Sequence, residues 1–261
     1  MKAFLGILLL LASSHTLKAE ALTIKPVAND GVQIELGGKR LLIDALFTRE
    51  YPQFDVPSEA QIQAFMGANG PEMVPDILLV THDHGDHFSA RLSIDLLMKQ
   101  PKSRLFGPEQ VIARIQSEAT NEEFSKIKEQ LTQTTPVQNA PDEFDIEGLS
   151  IKVYAFPHVS EQYANIQNNA YLISSGDESV LHIGDADVLE DSFKQKGLAL
   201  KSLEYAVLPF WHILDEQKFG LLKSWFAEKQ MILAHVHTAH QAQIKDMLST
   251  NHPEMQLFIK P

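Results

Sequence analysis

The chain has 261 residues, 44% of them hydrophobic and 21% charged, with 13 glycines, 13 prolines and no cysteine. That is enough apolar chain to bury a sizeable core, which excludes a disordered or low-complexity protein. The lack of thiols excludes disulfides, a thiol nucleophile, iron–sulfur clusters and thiolate metal sites. Lys and Arg number 22 against 34 Asp and Glu, for a net charge of −12, and no basic cluster is visible, so no nucleic-acid partner is expected. Against that background the 11 histidines, several of them bunched, stand out.

In chain order, Met1-Lys2 precede a mostly apolar run, Ala3 to Ala12, then the polar Ser13-Ser14-His15-Thr16 and the small-residue pattern Ala19-Glu20-Ala21. This reads as a secretory signal peptide over residues 1–21, with cleavage after Ala19 or after Ala21. The run is far shorter than the ~20 apolar residues of a spanning helix, so no stable membrane insertion is expected. Removing it takes away Lys2, Lys18 and Glu20 and leaves a more acidic mature protein, residues 22–261, expected in the periplasm of a Gram-negative bacterium or secreted.

The mature chain opens with three apolar or alternating runs, Leu22–Val27, Val32–Leu36 and Arg40–Leu46. The turn signals Asn29-Asp30-Gly31 and Gly37-Gly38-Lys39 separate them, as in an antiparallel meander. Thr48–Pro75 is irregular apart from a helical pattern around Ser58–Met66. Next come a buried-type strand over Asp76–Val80, a helix over Ser89–Gln100, a strand over Arg104–Phe106, and a helix over Val111–Ser117 with Pro108 in its first turn. A charged surface helix is expected over Asn121–Leu131. The second half has the same texture, with hairpins over Phe144–Phe156 and Ala170–Ile183. Helices follow over Asp187–Lys196, Asp215–Lys229 and His240–Thr250, alternating with strands over Ala206–Phe210, Met231–Ala234 and Met255–Ile259. Two mixed sheets packed face to face with helices on the outer faces, a four-layer αβ/βα sandwich, fit this order, and no Gly-, Ser- or Pro-rich linker divides it into two domains.

Four strands run directly into polar chemistry. Ile77–Val80 leads into Thr81-His82-Asp83-His84-Gly85-Asp86-His87, Ile151–Phe156 into Pro157-His158, Ser179–Ile183 into Gly184-Asp185, and Met231–Ala234 into His235-Val236-His237. Carboxyl ends of strands line the binding crevice of open α/β sheets, so these four termini can converge. Imidazole and carboxylate donors without sulfur suit zinc, iron or manganese. His82 and His84 lie two apart on an extended end and share a side, while the Gly85 turn carries Asp86 and His87 to a second position. So many donors exceed the needs of one tetrahedral ion and point to two.

The run His82-x-His84-x-Asp86-His87 after a hydrophobic strand, followed in order by His158, Asp185 and His235, resembles the signature of the metallo-β-lactamase-fold hydrolases. The resemblance covers nearly the whole mature chain, including the early strand Leu41-Leu-Ile-Asp44. It implies that fold and two divalent metal ions, Zn2+ first with Fe or Mn as alternatives. By the same resemblance His82, His84 and His158 would hold one ion, Asp86, His87 and His235 the other, and Asp185 would bridge them. His237 and His240 compete with His235 for the last place, which the strand end favours for His235. The implied reaction is hydrolysis of an ester, lactone, amide or phosphodiester bond of a small molecule by hydroxide activated between the metals. In it Asp86 orients the nucleophile and shuttles a proton. The surroundings look closest to the lactonase- and phosphodiesterase-like branch. The chain departs from many lactonase-like relatives in carrying Asn29-Asp30-Gly31 where they place a Gly-His pair. The alternatives are an iron-dependent sulfur dioxygenase-like oxidoreductase and a non-catalytic periplasmic metal-binding protein. The oligomeric state is left open.

Several further residues have two readings. Phe210-Trp211-His212 either line the pocket or pack a loop, and Tyr51, Phe54, Phe65 and Met66 form either a flap or core. His182 and Asp83 read as structural, and His252, beside Pro253, as solvent-exposed.

Overall fold

The computed structural model describes residues 21–48, 51–137, 140–188 and 203–258. The signal peptide expected over residues 1–21 therefore lies, up to residue 20, outside the described residues, as does the helix expected over Asp187–Lys196 beyond Val188. Strands β1 (Thr23–Ala28), β2 (Gly31–Leu36) and β3 (Lys39–Ile43) form the antiparallel meander that the two turn signals announce. Strands β4 (Ile77–Leu79), β5 (Arg104–Pro108) and β6 (Leu131–Thr134) then add in parallel, giving one sheet of order β1-β2-β3-β4-β5-β6.

The second sheet repeats the plan. Strands β7 (Asp142–Ile146), β8 (Leu149–Pro157), β9 (Gln167–Ser175) and β10 (Glu178–His182) are antiparallel. Parallel strands β11 (Tyr205–Pro209), β12 (Met231–Ala234) and β13 (Gln256–Leu257) complete the order β13-β12-β11-β10-β9-β8-β7. Among the described residues the α-helices are α1 (Glu59–Phe65), α2 (Ala90–Lys99), α3 (Glu109–Glu118), α4 (Asn121–Ile127), α5 (Glu216–Trp225) and α6 (Gln241–Asn251).

The layering follows from side-chain alternation along each strand. Leu41 and Ile43 of β3 and Ile77 and Leu79 of β4 enter a cluster with Ile151, Val153, Tyr171, Val180, Val207 and Ile232 of the other sheet. Their alternates Leu42 and Leu78 pack instead with Ile94, Leu97, Val111, Ile115 and Ile127 of the helices outside the first sheet. On the second sheet Leu181, Leu208 and Leu233 likewise pack with Phe219 and Leu222 of α5 and Ile244 and Leu248 of α6. The central strands are thus covered on both faces, which gives the expected sandwich of two mixed sheets between helices.

Local chemistry moves several boundaries. The helix expected over Asn121–Leu131 ends at Ile127; one 3₁₀ turn follows, and Leu131 opens the edge strand β6. Gln130 forces that break, because its side-chain amide donates to the carbonyls of Leu97, Gln100 and Ser103 and holds the chain beside β5. Pro108 closes β5 and caps α3 from outside rather than sitting in its first turn. The helix expected over Asp215–Lys229 is capped by Asp215 and stops at Trp225, where buried Phe226 turns extended. Of the last expected strand, the described residues place Gln256–Leu257 in the sheet, and Ile259 lies outside the described residues.

Phe106 lies between the sheets, 1% exposed, edge-on to Phe144 at 5.1 Å between ring centroids. Phe106→Ala should cost about 3–5 kcal/mol through lost burial and a cavity. Chemical denaturation would check it, and a loss below about 1 kcal/mol would show that the layer between the sheets is not packed as described.

Candidate metal centre

All four polar strand ends meet at one end of the sandwich. His82 and His84 follow β4, His158 follows β8, Asp185 follows β10 and His235 follows β12. Two groups of donors result, each with ligand atoms within 4.8 Å of one another: His82, His84, His158 and Asp185, and Asp86, His87 and His235. The Asp185 carboxylate faces both. Its Oδ2 lies 3.5 Å from His158 Nε2 and 3.9 Å from His82 Nε2, while its Oδ1 lies 3.4 Å from His235 Nε2 and 3.5 Å from His87 Nε2. Within the groups, His82 Nε2 and His84 Nδ1 converge to 3.0 Å and the Nε2 atoms of His87 and His235 to 3.1 Å. Asp86 Oδ2 lies 3.3 Å from His235 Nε2.

Partners on the far side of the rings assign the tautomers. His87 Nδ1–H donates to Asp44 Oδ2 at 2.9 Å and His158 Nδ1–H to the Val159 carbonyl at 2.6 Å. Thr81 Oγ1 donates to Asp44 Oδ2 at 2.5 Å, so it accepts from His82 Nδ1–H at 2.9 Å. Each of these three rings therefore presents an Nε2 lone pair to the centre, the arrangement that raises ligand basicity and fixes ring orientation. The Nε2 of His158 and the Oδ1 of Asp185 are buried and have no hydrogen-bond partner. Orphaned acceptors converging on one point, all nitrogen or oxygen, fit divalent metal ions.

The backbone is bent to make this possible. Asp44 and His235 both adopt left-handed conformations, with φ of 47° and 62°, which side-chain-bearing residues enter at a cost. Gly184, at φ 56°, has no room for a side chain, since a Cβ there would come within 2.7 Å of Thr81 Cβ. Asn168 and Asn169 of β9 clamp the loops. Asn168 Nδ2 donates to the Ile183 carbonyl and its Oδ1 accepts from Asp185 N–H, while Asn169 N–H donates to the Thr81 carbonyl.

Among the competing residues, His235 joins the cluster, whereas His237 and His240 face each other outside it, 5.1 Å between ring centroids. Phe54 stands edge-on to His235 at 4.6 Å and Trp211 at 4.9 Å, and Tyr163 covers His84 and His158 at 4.8 and 5.0 Å. Phe65 and Met66 are core, packed with the helices outside the first sheet. His212 is buried, its Nε2 donating to the Ala186 carbonyl, and both nitrogens of His182 are engaged by backbone. Asp83 pairs with Arg114 at 3.2 Å. His252 is not solvent-exposed as expected. It is half-buried, 4.9 Å from the Phe219 ring and 3.4 Å from Glu228, because the turn at Pro253 folds back onto α5. Sequence reading assigned no site role to Asn29, Asp30, Asp44, Thr81 or Tyr163. Their only signal is position at a turn or strand end.

The chain belongs to the beta-lactamase superfamily, whose domain model matches residues 39–250, and its fold is that of the metallo-β-lactamases. It is 27% identical over 178 residues to a UPF0173 metal-dependent hydrolase of Sulfolobus acidocaldarius, a match covering 68% of this chain and 66% of that protein. Two solved structures share the fold at low identity. A "possible metal-dependent hydrolase" from Veillonella parvula superposes with a TM-score of 0.64 at 15% identity, over 92% of this chain and 97% of that one. An isothiocyanate hydrolase from Delia radicum gut bacteria gives 0.62 at 14% identity, over 91% and 96%.

The histidines of the two donor groups are shifted in opposite directions by their surroundings. Burial, reinforced by neighbouring rings, lowers His82 well below its ordinary value and His84 to about 4; burial also lowers His158. Burial pushes His87 and His235 the same way, but the carboxylates of Asp185 and Asp86 around them, with Asp44 on His87, outweigh it and raise both. For Asp86, burial is outweighed by His87 and His235, which hold the carboxyl below its usual range. Groups lowered from 6.5 contribute stability that is lost as pH falls through 6.5 toward 4, and groups raised from 6.5 contribute stability that is lost as pH rises above 6.5. The chelator-treated protein should therefore be most stable near pH 6.5, and a thermal melting series that is monotonic between pH 4 and 9 would contradict the pairing described.

Asp44 sits behind the rings with both oxygens occupied, Oδ1 by Thr81 N–H and Oδ2 by Thr81 Oγ1 and His87 Nδ1. Asp44→Asn places an amide N–H against one of these donors. Metal affinity measured by chelator competition should fall about 10- to 100-fold, and unchanged affinity would remove Asp44 from the orientation of the site.

Proposed function

We propose that the protein is a metal-dependent hydrolase that uses two divalent ions on an ester, lactone, amide or phosphodiester bond of a small molecule. His82, His84 and His158 would hold one ion, Asp86, His87 and His235 would hold the other, and Asp185 faces both groups. The observation that carries this reading is the two-sided Asp185 carboxylate, with one oxygen toward each histidine group. Zinc is the first candidate, with iron and manganese compatible with the same donors. Bound there, the ions supply Lewis-acid charge and bring the pKa of water down toward ~7.

The chain's own residues do the rest. Asp86 stays ionised, and its Oδ2 is held by Asn29 Nδ2 at 3.2 Å and faces His235. Its Oδ1 is then the atom that orients the attacking water and takes up its proton for delivery to the leaving group. Phe54 and Trp211 stand beside His235 and Tyr163 beside His84, so aromatic rings border the place where the scissile group would lie. The net charge of −12 supports a small-molecule substrate over nucleic acid. The lactonase- and phosphodiesterase-like branch, a single hydrolase domain over residues 22–261 and export to the periplasm or beyond complete the reading, the export on the pattern of residues 1–21.

Purified mature protein, quantified for metal, should contain about two ions per chain and hydrolyse at least one member of an ester, lactone, β-lactam and phosphodiester panel. Asp86→Ala should retain the circular dichroism of the fold and lower kcat about 10²- to 10⁴-fold. Near-wild-type turnover by that variant overturns the assignment. One iron per chain with oxygen uptake would favour a sulfur dioxygenase-like reaction, and metal without turnover a binding protein.

A further inference from the structure

The first hairpin turn, between β1 and β2, reaches into the metal centre and is braced there on three sides. Asn29, at φ 50°, donates from Nδ2 to the main-chain oxygen and to Oδ2 of Asp86, both at 3.2 Å, and its own carbonyl accepts from His235 N–H at 3.2 Å. Gly31 is pressed against β3, where a Cβ would come within 2.5 Å of the Asp44 carbonyl and 2.9 Å of the Ala28 carbonyl. Between them Asp30 is 1% exposed.

Neither carboxylate oxygen of Asp30 has a hydrogen-bond partner. Its neighbours explain why. His182 Nδ1 accepts from Gly184 N–H at 3.2 Å, so its hydrogen is on Nε2, and that hydrogen goes to the Asp30 main-chain oxygen at 2.9 Å; the carboxylate is 3.5 Å from the same nitrogen. Asp44 offers no donor, since both its oxygens are already accepting. Further close groups are His87 and Asp185, with which Asp30 forms a set of donor atoms within 4.8 Å of one another, as it also does with Asp44 and His182. Burial pushes the Asp30 carboxyl above its usual range, and a buried carboxylate without donors is costly unless a proton or a cation neutralises it. Two divalent ions, if held against the carboxylates of Asp86 and Asp185, would leave positive charge at the centre for it to meet.

We infer that Asp30 is an additional oxygen donor to the metal centre, serving the ion held by Asp86, His87 and His235. An extra carboxylate makes that position harder and favours a higher coordination number, so it shifts preference from zinc toward manganese and ferrous iron. This rests on the two-metal reading above.

Asp30→Asn and the smaller Asp30→Ser separate this role from a structural one, because the two roles move apo and metal-loaded stability differently. Melting of chelator-treated protein should be unchanged or higher in both variants, since an unpartnered buried carboxylate is removed. The affinity for the second equivalent of Mn2+, from titration calorimetry, should fall about 10-fold or more, with a smaller fall for Zn2+. Wild type binding two ions while both variants keep its Mn2+ affinity and its Mn2+/Zn2+ preference overturns the inference alone, and so does a drop in metal-free melting that accounts for the whole change. Wild type taking up fewer than two ions overturns the two-metal reading, and this inference with it.

Discussion

Asp185 presents one oxygen to each histidine group, and the cost of keeping that carboxylate buried among five imidazoles organises this end of the molecule. Unpaired buried charge costs several kcal/mol, so the cluster is tolerable only where far-side partners and a cation satisfy it. The far-side partners are present. Asp44 and the Val159 carbonyl take the Nδ1 hydrogens of His87 and His158, and Thr81 takes that of His82, leaving lone pairs aimed inward. The inward-facing nitrogen and oxygen atoms suit a divalent cation.

The sandwich supplies the rigidity that such an arrangement requires. Tyr171, fully buried in β9 of the second sheet, donates to the carbonyl of Val80 at 2.7 Å, one residue before Thr81 and two before His82. Asn168 and Asn169 on the same strand hold the loops carrying Asp185 and His82. One strand therefore positions loops of the donor cluster from both sheets. The left-handed backbone at Asp44 and His235 is local strain maintained by this surrounding packing, a combination expected where geometry serves chemistry.

Much of the fold is legible because its determinants are local. The hairpin glycines and the alternation in β2, β3, β8 and β9 announce antiparallel strands, and short apolar runs ending in His or Asp mark β4, β10 and β12. The edge strand β6 is hidden because the four residues Leu131–Thr134 follow a helical pattern without a turn signal, and the break depends on Gln130 bonding to carbonyls about 30 residues earlier. His252 reads as exposed because the Phe219 and Glu228 that cover it belong to other elements.

By itself the sequence determined the donor chemistry. With no cysteine, any ligand cluster has to be histidine and carboxylate, and the strand ends at His82, His158, Asp185 and His235 name the candidates. Only the tertiary structure decided which candidates meet. It brings His235 rather than His237 or His240 to the cluster, sets Asp44 behind His87, and inserts Asn29 and Asp30 beside Asp86, His87 and Asp185. The physical reason is range. Strand and turn signals arise from neighbours along the chain, whereas the Asn29–Asp86 contact spans 57 residues and the His87–His235 contact 148, and only the packing of one sheet on the other brings such residues together.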